Sequence, residues 1–172
     1  MTNIPTHYTD ASIENIAPDV KVSFDNWIKQ RSEGKKSLML FGGYGVGKTY
    51  LMYAMINWKP NVRVRFYNSS ALIEDIKASY NDAYAQNPVI SLRDYEGYLF
   101  LDDFGSERVT DFVQDQFYQI INDRYVNNLP VVISTNYELG ELADRLGERI
   151  ASRLAQMCFI INITGDDRRL KS

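Results

Sequence analysis

A glycine-rich stretch in the first third of the chain has the residue types needed to hold a phosphate group. Gly42, Gly47, Lys48 and Thr49 fit the pattern Gly-x-x-x-x-Gly-Lys-Ser/Thr. Glycines let such a loop curl until successive backbone N–H groups face the phosphate oxygens, and the positive end of the next helix faces the same anion. Lys48 would reach the β- and γ-phosphates, and the Thr49 hydroxyl would bind Mg²⁺. The pattern therefore predicts binding of a nucleoside triphosphate and its magnesium ion.

The surroundings of this stretch favour the prediction over the alternative, a chance match in a glycine-bearing turn. An apolar run typical of a buried strand, Leu38–Phe41, precedes the loop, and residues 50–56 form an apolar segment without glycine or proline. Strand, loop and helix are the context that this motif requires. We expect the nucleotide to contact the loop and the residue after it: Gly42, Gly43, Tyr44, Gly45, Val46, Gly47, Lys48, Thr49 and Tyr50.

Two adjacent carboxylates follow a second apolar run, at residues 98–101. Ligands bind at the carboxyl ends of strands in α/β folds, so Asp102 and Asp103 would face the same site as the glycine loop. Asp102 would hold the Mg²⁺ shell, and Asp103 would orient or deprotonate an attacking water. A solvated Asp-Asp turn is the alternative. The combination with the glycine loop favours catalysis.

Polar residues with less specific patterns lie further along the chain. Asn136 follows the apolar run Val131–Ile133 and could hydrogen-bond the γ-phosphate or the attacking water, although asparagine after a strand is often only turn chemistry. Arg149 and Arg153 are four residues apart and share one helix face. They are either solvated charges or a pair that meets a phosphate on a neighbouring subunit.

The remaining pattern predicts a parallel α/β sheet. Residues 98–101, 131–133 and 158–161 are continuous apolar runs, as expected for strands covered on both faces, whereas 62–67 alternates and indicates a half-exposed edge strand. Helices are predicted over 19–29, from the capping candidates at 68–70, and from near Thr110. On the second of these helices, the pattern places Tyr80 on the same face as Leu72, Ile73 and Ile76.

Composition limits the class of protein. The chain has 172 residues, a net charge of −3, one histidine and one cysteine. One cysteine excludes an internal disulfide, and one histidine with one cysteine excludes a His/Cys metal cluster. The negative net charge argues against strong nonspecific binding of nucleic acid by the whole surface. No apolar run reaches the length of a membrane span and the N-terminus lacks the features of a signal peptide, so we expect a cytoplasmic protein without a membrane partner.

The motifs together resemble the AAA+ ATPases of the DnaC/DnaI helicase-loader type and the related IstB-like ATPases. The resemblance rests on the glycine loop at 42–49, Asp102-Asp103-Phe104-Gly105, Ser134-Thr135-Asn136 and the segment 146–154. It implies a five-stranded parallel sheet in the order 5-1-4-3-2. It also implies one ATPase domain over 1–172, with an N-terminal arm and helix (1–36), a P-loop core (37–163) and a short tail (164–172), the lid domain being absent or minimal.

The resemblance also assigns roles to residues. Asn136 matches sensor 1, Arg153 matches the arginine finger with Arg149 as its companion, and Arg169 matches the sensor-2 arginine. The implied function is Mg²⁺-dependent ATP hydrolysis in DNA replication, by an ATP-dependent homo-oligomer that acts with single-stranded DNA. A replicative helicase or a transposase would be the protein partner. The alternatives are an ATP-switched adaptor with little turnover and an IstB-like helper ATPase for transposition. The segment that grips the helicase in family loaders is not evident in the 36 residues before the first strand.

A basic and aromatic strip is the candidate contact with single-stranded DNA. It would consist of Arg63, Arg65, Lys77, Tyr80 and Tyr84, which combine phosphate-binding cations with rings on which bases can stack. The alternative is an edge strand with solvated arginines beside ordinary helix aromatics.

Overall fold

The computed structural model describes residues 4–32, 34, 36–82 and 85–167. Within these residues, five strands alternate with seven α-helices. The strands are β1 (Ser37–Phe41), β2 (Val64–Asn68), β3 (Tyr98–Asp102), β4 (Val131–Thr135) and β5 (Cys158–Asn162). The helices are α1 (Pro18–Ser32), α2 (Lys48–Trp58), α3 (Ser69–Asn81), α4 (Pro88–Arg93), α5 (Asp111–Val126), α6 (Leu139–Leu146) and α7 (Glu148–Met157), preceded by 3₁₀ turns at Thr6–Tyr8 and Ile13–Asn15. In the described part of the chain, no helix is both long and apolar enough to cross a membrane.

The five strands form one parallel sheet in the order β2-β3-β4-β1-β5. Read from the other edge this is 5-1-4-3-2, so the order implied by the resemblance is confirmed. Strand β1 lies between β4 and β5, with Met39 paired to Ile133 on one side and Ile160 on the other. Because all strands run in one direction, their carboxyl ends meet at one edge of the sheet, where α/β folds bind ligands.

A hydrophobic core lies on each face of the sheet, since successive strand residues point to opposite faces. In β1, Met39 packs into the core covered by α3 to α7, while Leu38 and Leu40 pack into the core covered by α1 and α2. Strands β3 and β4 are covered on both faces, which confirms what their apolar runs predicted. Cys158 is a buried core residue.

The sheet edges and one helix face differ in part from the predictions. Strand β2 is half-buried along Val64–Tyr67 and forms one edge, as predicted. The prediction that residues 158–161 are covered on both faces is wrong, because β5 is the opposite edge and Ile160 is 37% exposed. On α3, Leu72, Ile73 and Ile76 are buried, but Tyr80 is 62% exposed. Tyr80 therefore continues the predicted face beyond the core, and its ring lies edge-on to Phe112 with centroids 5.8 Å apart.

The N-terminal segment packs against α2, as expected for an arm on the domain. The Asn57 Nδ2 donates to the carbonyl oxygens of Tyr8, Thr9 and Ala11 at 3.2, 3.1 and 2.8 Å. The Tyr8 ring stacks on the Tyr53 ring with centroids 4.5 Å apart. Because Tyr8 is held at the surface of α2, the helix that begins in the glycine loop also positions the arm.

A fully buried arginine connects helix α4 with the loops that precede β3 and β4. The Arg124 guanidinium donates to the carbonyl oxygens of Leu92 (2.8 Å), Tyr95 (2.9 Å), Gly97 (2.7 Å) and Pro130 (2.8 Å). Burial lowers the pKa of Arg124 to about 10. The group stays charged at neutral pH and satisfies four carbonyls in segments that precede β3 and β4. It therefore fixes where both strands begin.

We expect Arg124→Met to destabilise the fold by about 3 kcal/mol or more, because it leaves buried carbonyl oxygens without donors. Urea unfolding followed by circular dichroism measures this loss as a midpoint lower by roughly 1–2 M. The matched control is Arg63→Met, since Arg63 is an exposed arginine paired with Glu96. The control should stay within about 0.5 kcal/mol of the wild type. Equal midpoints for the two variants would contradict a structural role for Arg124.

Candidate nucleotide-binding site

The glycine loop connects β1 to α2 at the carboxyl edge of the sheet. Gly42, Gly45 and Gly47 have φ angles of 150°, 67° and 106°, a backbone region that side chains disfavour. At Gly42 an added Cβ would lie 2.1 Å from the Ile163 carbonyl oxygen, and at Gly45 it would lie 1.8 Å from the Asp167 carboxylate. Both positions therefore require glycine, and the segment after β5 packs directly on the loop.

Lys48 is held inside the loop by three oxygen acceptors. Its Nζ donates to the carbonyl oxygens of Gly42 (2.8 Å) and Gly43 (2.6 Å) and to the Asn136 Oδ1 (2.6 Å). The residue is buried at the first position of α2. The structure thus brings the predicted lysine and Asn136 into direct contact, although 88 residues separate them. A cation in this position faces an anion bound by the loop.

Thr49 and Asp102 meet as the two motifs predicted. The Thr49 Oγ1 lies 3.0 Å from each carboxylate oxygen of Asp102. The Ser134 hydroxyl donates to the Asp102 Oδ1 and accepts from the Asp103 N–H at 3.0 Å. Burial raises the pKa of the Asp102 carboxyl, and the hydrogen bonds from Ser134 and Thr49 oppose this rise. Ser134 therefore orients the carboxylate from β4, the strand beside it.

The donor set at Thr49 and Asp102 fits a magnesium ion. Both residues offer oxygen ligands, which Mg²⁺ prefers, and the ion usually takes one or two carboxylates together with nucleotide phosphates. The Ser134 hydroxyl donates a hydrogen bond to the Asp102 carboxylate and orients it, as expected for a metal ligand.

Asp103 lies in the same cleft but in an unusual backbone conformation. Its φ angle is 56°, in the left-handed region that non-glycine residues seldom adopt. The Asp103 N–H is held by Ser134, and its carbonyl oxygen accepts from the Ser106 N–H at 3.1 Å. Strained backbone of this kind clusters at active sites. The geometry separates the two carboxylates, with Asp102 buried against Thr49 and Asp103 lining the cleft.

A buried glutamate supports the turn after Asp103, and the sequence did not single it out. The Glu107 Oε1 accepts from the Gly105 N–H at 3.1 Å, and the Arg145 Nε donates to the Gly105 carbonyl oxygen at 2.9 Å. Burial raises the pKa of the Glu107 carboxyl. The two side chains bind the N–H and the carbonyl oxygen of Gly105, so they fix the turn that follows Asp103.

The cleft has a volume of about 530 Å³, within the usual range for small-molecule sites. Sequence analysis predicted most of its lining but missed three residues, two of which belong to the N-terminal arm. The lining residues are Tyr8, Asn15, Tyr44, Gly45, Gly47, Lys48, Thr49, Tyr50, Asp103, Ser106 and Asn136. Tyr8, Tyr44 and Tyr50 contribute three aromatic rings to this lining, which suits a nucleobase.

Arg149 and Arg153 lie on α7 and do not line this cleft. The Arg153 Nε donates to the Asn122 Oδ1 at 2.8 Å, and its Nη2 donates to the Tyr118 hydroxyl at 3.1 Å. The guanidinium carbons of Arg153 and Arg149 lie 4.9 and 5.8 Å from the centroid of the Tyr118 ring. Both arginines thus contact Tyr118 on α5, and neither lines the cleft of its own chain.

The residues of the predicted DNA strip fall into two groups. Lys77 and Tyr80 line a surface cavity of about 390 Å³, together with Asn81, Thr110 and Phe112. Arg63 and Arg65 are not among its lining residues. Arg63 pairs with Glu96 at 2.9 Å, and the Arg65 Nη1 donates to the carbonyl oxygen of Ser91 at 3.0 Å. Tyr84 and Arg169 lie outside the described residues.

The order of the sheet and the site together define the class of protein. The strand that ends in Asp102 is separated from the strand before the glycine loop by one strand, β4, which contributes Ser134 and leads to Asn136. This is the arrangement of a P-loop ATP-binding protein with the AAA+ fold.

Comparison with known proteins identifies the family. The model of the IstB-like ATP-binding protein family matches residues 24–172, and the chain belongs to this family. Among solved structures, the chain is similar to the crystal structure of the DnaC helicase loader. The TM-score is 0.77 at 28% identity, with 93% of this chain and 100% of that chain covered.

Several curated relatives are proteins of Bacillus subtilis (strain 168), among them YqaM and DnaI. The uncharacterized protein YqaM is 31% identical over 157 residues, which cover 86% of this chain and 49% of that protein. The replicative helicase loader DnaI is 25% identical over 152 residues, covering 78% of this chain and 48% of DnaI. The chain thus spans about half the length of these curated relatives.

Proposed function

We propose that this protein is a Mg²⁺-dependent ATPase that acts in DNA replication with single-stranded DNA, as a helicase loader would. One observation carries the enzymatic part of this proposal. Lys48, Thr49, Asp103 and Asn136, which come from three separate segments of the chain, line the same cleft, with Asp102 bonded to Thr49 beneath them. A passive nucleotide-binding module needs the loop and the lysine. It does not need a second carboxylate facing the cleft.

Each residue has a defined task in this reaction. Lys48 and the loop N–H groups would bind the β- and γ-phosphates, and Asn136, already bonded to Lys48, would position the γ-phosphate. Thr49 and Asp102 would hold Mg²⁺, which neutralises charge on the phosphates when bound. Asp103 would accept a proton from the attacking water. The oxygen of that water forms a bond to the γ-phosphorus while the bond between the γ-phosphorus and ADP breaks.

The chain's relatives support the role in replication. Both the DnaC structure and the curated protein DnaI are described as helicase loaders. A second candidate is a helper ATPase for transposition, because the matching family is IstB-like and a further relative is described as a putative ATP-binding protein in an insertion sequence. Binding of the purified protein to the host's replicative helicase, compared with its binding to a transposase from the same genome, distinguishes the two.

The cavity beside α3 is the surface best suited to single-stranded DNA. It combines the exposed cation of Lys77 with the exposed ring of Tyr80, whose centroid lies 5.8 Å from that of Phe112 in an edge arrangement. Bases stack on such rings while cations contact the phosphates. Arg63 is less suited because it is paired with Glu96, whose exposed carboxylate would repel the DNA phosphates.

We expect Lys77→Gln and Tyr80→Ala to weaken DNA binding in two different ways. Lys77→Gln should reduce the log–log salt dependence of affinity by about 0.7, the loss of one phosphate contact. Tyr80→Ala should leave that slope unchanged and weaken binding by roughly 1–3 kcal/mol, the value of one stacked base. Fluorescence anisotropy of a labelled oligothymidine at several salt concentrations measures both quantities.

The control for this experiment is Arg63→Gln, which should bind like the wild type. If Arg63→Gln lowers the slope while Lys77→Gln does not, the DNA surface follows the edge strand instead. Absence of binding at low salt would favour the ATP-switched adaptor.

A further inference from the structure

The turn after β3 holds Asp103 through hydrogen bonds to its backbone groups. The Asp103 N–H donates to the Ser134 hydroxyl at 3.0 Å, and the Asp103 carbonyl oxygen accepts from the Ser106 N–H at 3.1 Å. The Phe104 N–H donates to the Ser134 carbonyl oxygen at 2.8 Å, and the Phe104 carbonyl oxygen accepts from the Thr135 hydroxyl at 2.7 Å. Strand β4 therefore fixes the first half of the turn.

The second half of the turn, at Gly105, is held by side chains that lie outside the sheet. The Gly105 N–H donates to the Glu107 Oε1, and the Gly105 carbonyl oxygen accepts from the Arg145 Nε. The φ angle of Gly105 is 85°, and an added Cβ would lie 2.9 Å from the Leu142 side chain. Leu142 and Arg145 both belong to α6. This helix therefore determines where the second half of the turn lies.

Arg145 is itself held in place by several neighbours. Its guanidinium carbon lies 4.4 Å from the centroid of the Tyr137 ring, and its Nη2 lies 3.5 Å from the Glu107 carbonyl oxygen. The main-chain carbonyl oxygen of Arg145 accepts from the Gln114 Nε2 of α5 at 3.0 Å. Because these contacts restrict a long side chain that is otherwise free to rotate, Arg145 can hold Gly105 in one position.

Glu107 lies in this turn at a cost in stability. It is 7% exposed, and its Oε2 is buried without a hydrogen-bond partner among the described residues. An unpaired buried oxygen destabilises a fold, and such departures from the most stable arrangement are expected at functional sites. The burial of this carboxyl therefore favours a role in the geometry of the turn.

We propose that Arg145 is a positioning residue for ATP hydrolysis, which keeps Asp103 in its left-handed conformation by holding Gly105. This inference rests on the proposed ATPase function. Arg145 is not among the residues that line the cleft, so its removal should leave nucleotide binding intact. Hydrolysis should be sensitive to it, because displacing a reacting group by about 1 Å can slow a reaction roughly 10²-fold.

Arg145→Met should lower kcat by roughly 10–100-fold and leave the Kd of a fluorescent ATP analogue unchanged. Arg145→Lys keeps a cationic donor and should regain part of the rate. The matched control is Arg108→Met, at an exposed position next to Glu107, which should hydrolyse ATP at the wild-type rate. Phosphate release at saturating ATP measures kcat, and circular dichroism shows that each variant is folded at the assay temperature.

Combination with Asp103→Asn separates positioning from a general loss of structure. If Arg145 acts through Asp103, the double variant Asp103→Asn/Arg145→Met should be no slower than Asp103→Asn alone. A loss of structure would instead slow both backgrounds by the same factor. Single-turnover measurements with the protein in excess resolve these low rates. Arg145→Gln has the same expected result and replaces Arg145→Met if that variant does not fold.

Three results would overturn the proposal and leave the ATPase function standing. They are a wild-type kcat for Arg145→Met, an equal loss of rate in the two backgrounds, and weaker binding of the ATP analogue with an unchanged kcat. A wild-type protein that does not hydrolyse ATP would instead overturn the proposed function, and the positioning role with it.

Discussion

Asp103→Asn should bind ATP as tightly as the wild type and hydrolyse it about 10²–10⁴-fold more slowly. The substitution removes the proton acceptor of the cleft and leaves the phosphate loop, Lys48 and the pair formed by Thr49 and Asp102 in place. Asparagine is a suitable replacement, because Asp103 occupies a left-handed conformation that asparagine tolerates. Phosphate release measures the rate, and a fluorescent ATP analogue measures the affinity.

Two further variants make this result specific. Asp25→Asn, on the exposed surface of α1, should match the wild type in both measurements. Lys48→Ala should lose tight ATP binding, because it removes the cation that the loop and Asn136 hold in place. If Asp103→Asn hydrolyses ATP at the wild-type rate, Asp103 is not the catalytic carboxylate, although the assignment of the phosphate loop would stand.

The parts of the site that the sequence predicted are those encoded locally. The loop from Gly42 to Thr49 carries its whole function in eight consecutive residues, and an apolar run before Asp102 is enough to place that carboxylate at a strand end. Parallel strands bring their carboxyl ends to one edge of the sheet. The contact between Thr49 and Asp102 therefore follows once both motifs are placed.

Residues that depend on long-range packing were missed or only partly understood. Arg124 lies on the buried face of α5, and its role becomes visible only when α4 and two loops, up to 32 residues away, supply their carbonyl oxygens. Glu107 has no motif that distinguishes it from a surface glutamate. Tyr8 joins the cleft only because Asn57 binds the arm to α2. In each case the partner lies in another element of the fold.

Exposure was mispredicted for a related reason. The run at 158–161 is as apolar as the central strands, but burial of Ile160 depends on what covers the sheet edge.

Helix α4 was missed because it is too short for a periodic pattern. Asn87 and Pro88 nevertheless form a recognisable start: the Asn87 Oδ1 accepts from the Val89 N–H at 2.9 Å, and proline occupies the first turn.

Arg153→Ala should bind ATP normally and hydrolyse it roughly 10³–10⁵-fold more slowly, if it acts like the arginine fingers of GTPases. We propose that this arginine serves the site of a neighbouring subunit, the role that the resemblance to AAA+ helicase loaders implies for it. Two observations support this. Asn122 and Tyr118 on α5 accept hydrogen bonds from the guanidinium, and Arg153 is not among the residues that line the cleft of its own chain. Arg108→Ala, at an exposed position outside α7, is the matched control and should retain full activity.

Mixing two inactive variants tests whether the arginine acts between subunits. Lys48→Ala subunits keep the arginine, and Arg153→Ala subunits keep the phosphate loop, so mixed assemblies should regain part of the ATPase activity. The wild-type rate per subunit should also rise with protein concentration as assemblies form. If the mixture stays inactive and the wild-type rate is independent of concentration, each site is complete within one chain. Arg153 would then only join α7 to α5 through Tyr118 and Asn122, and the assembly model would be wrong.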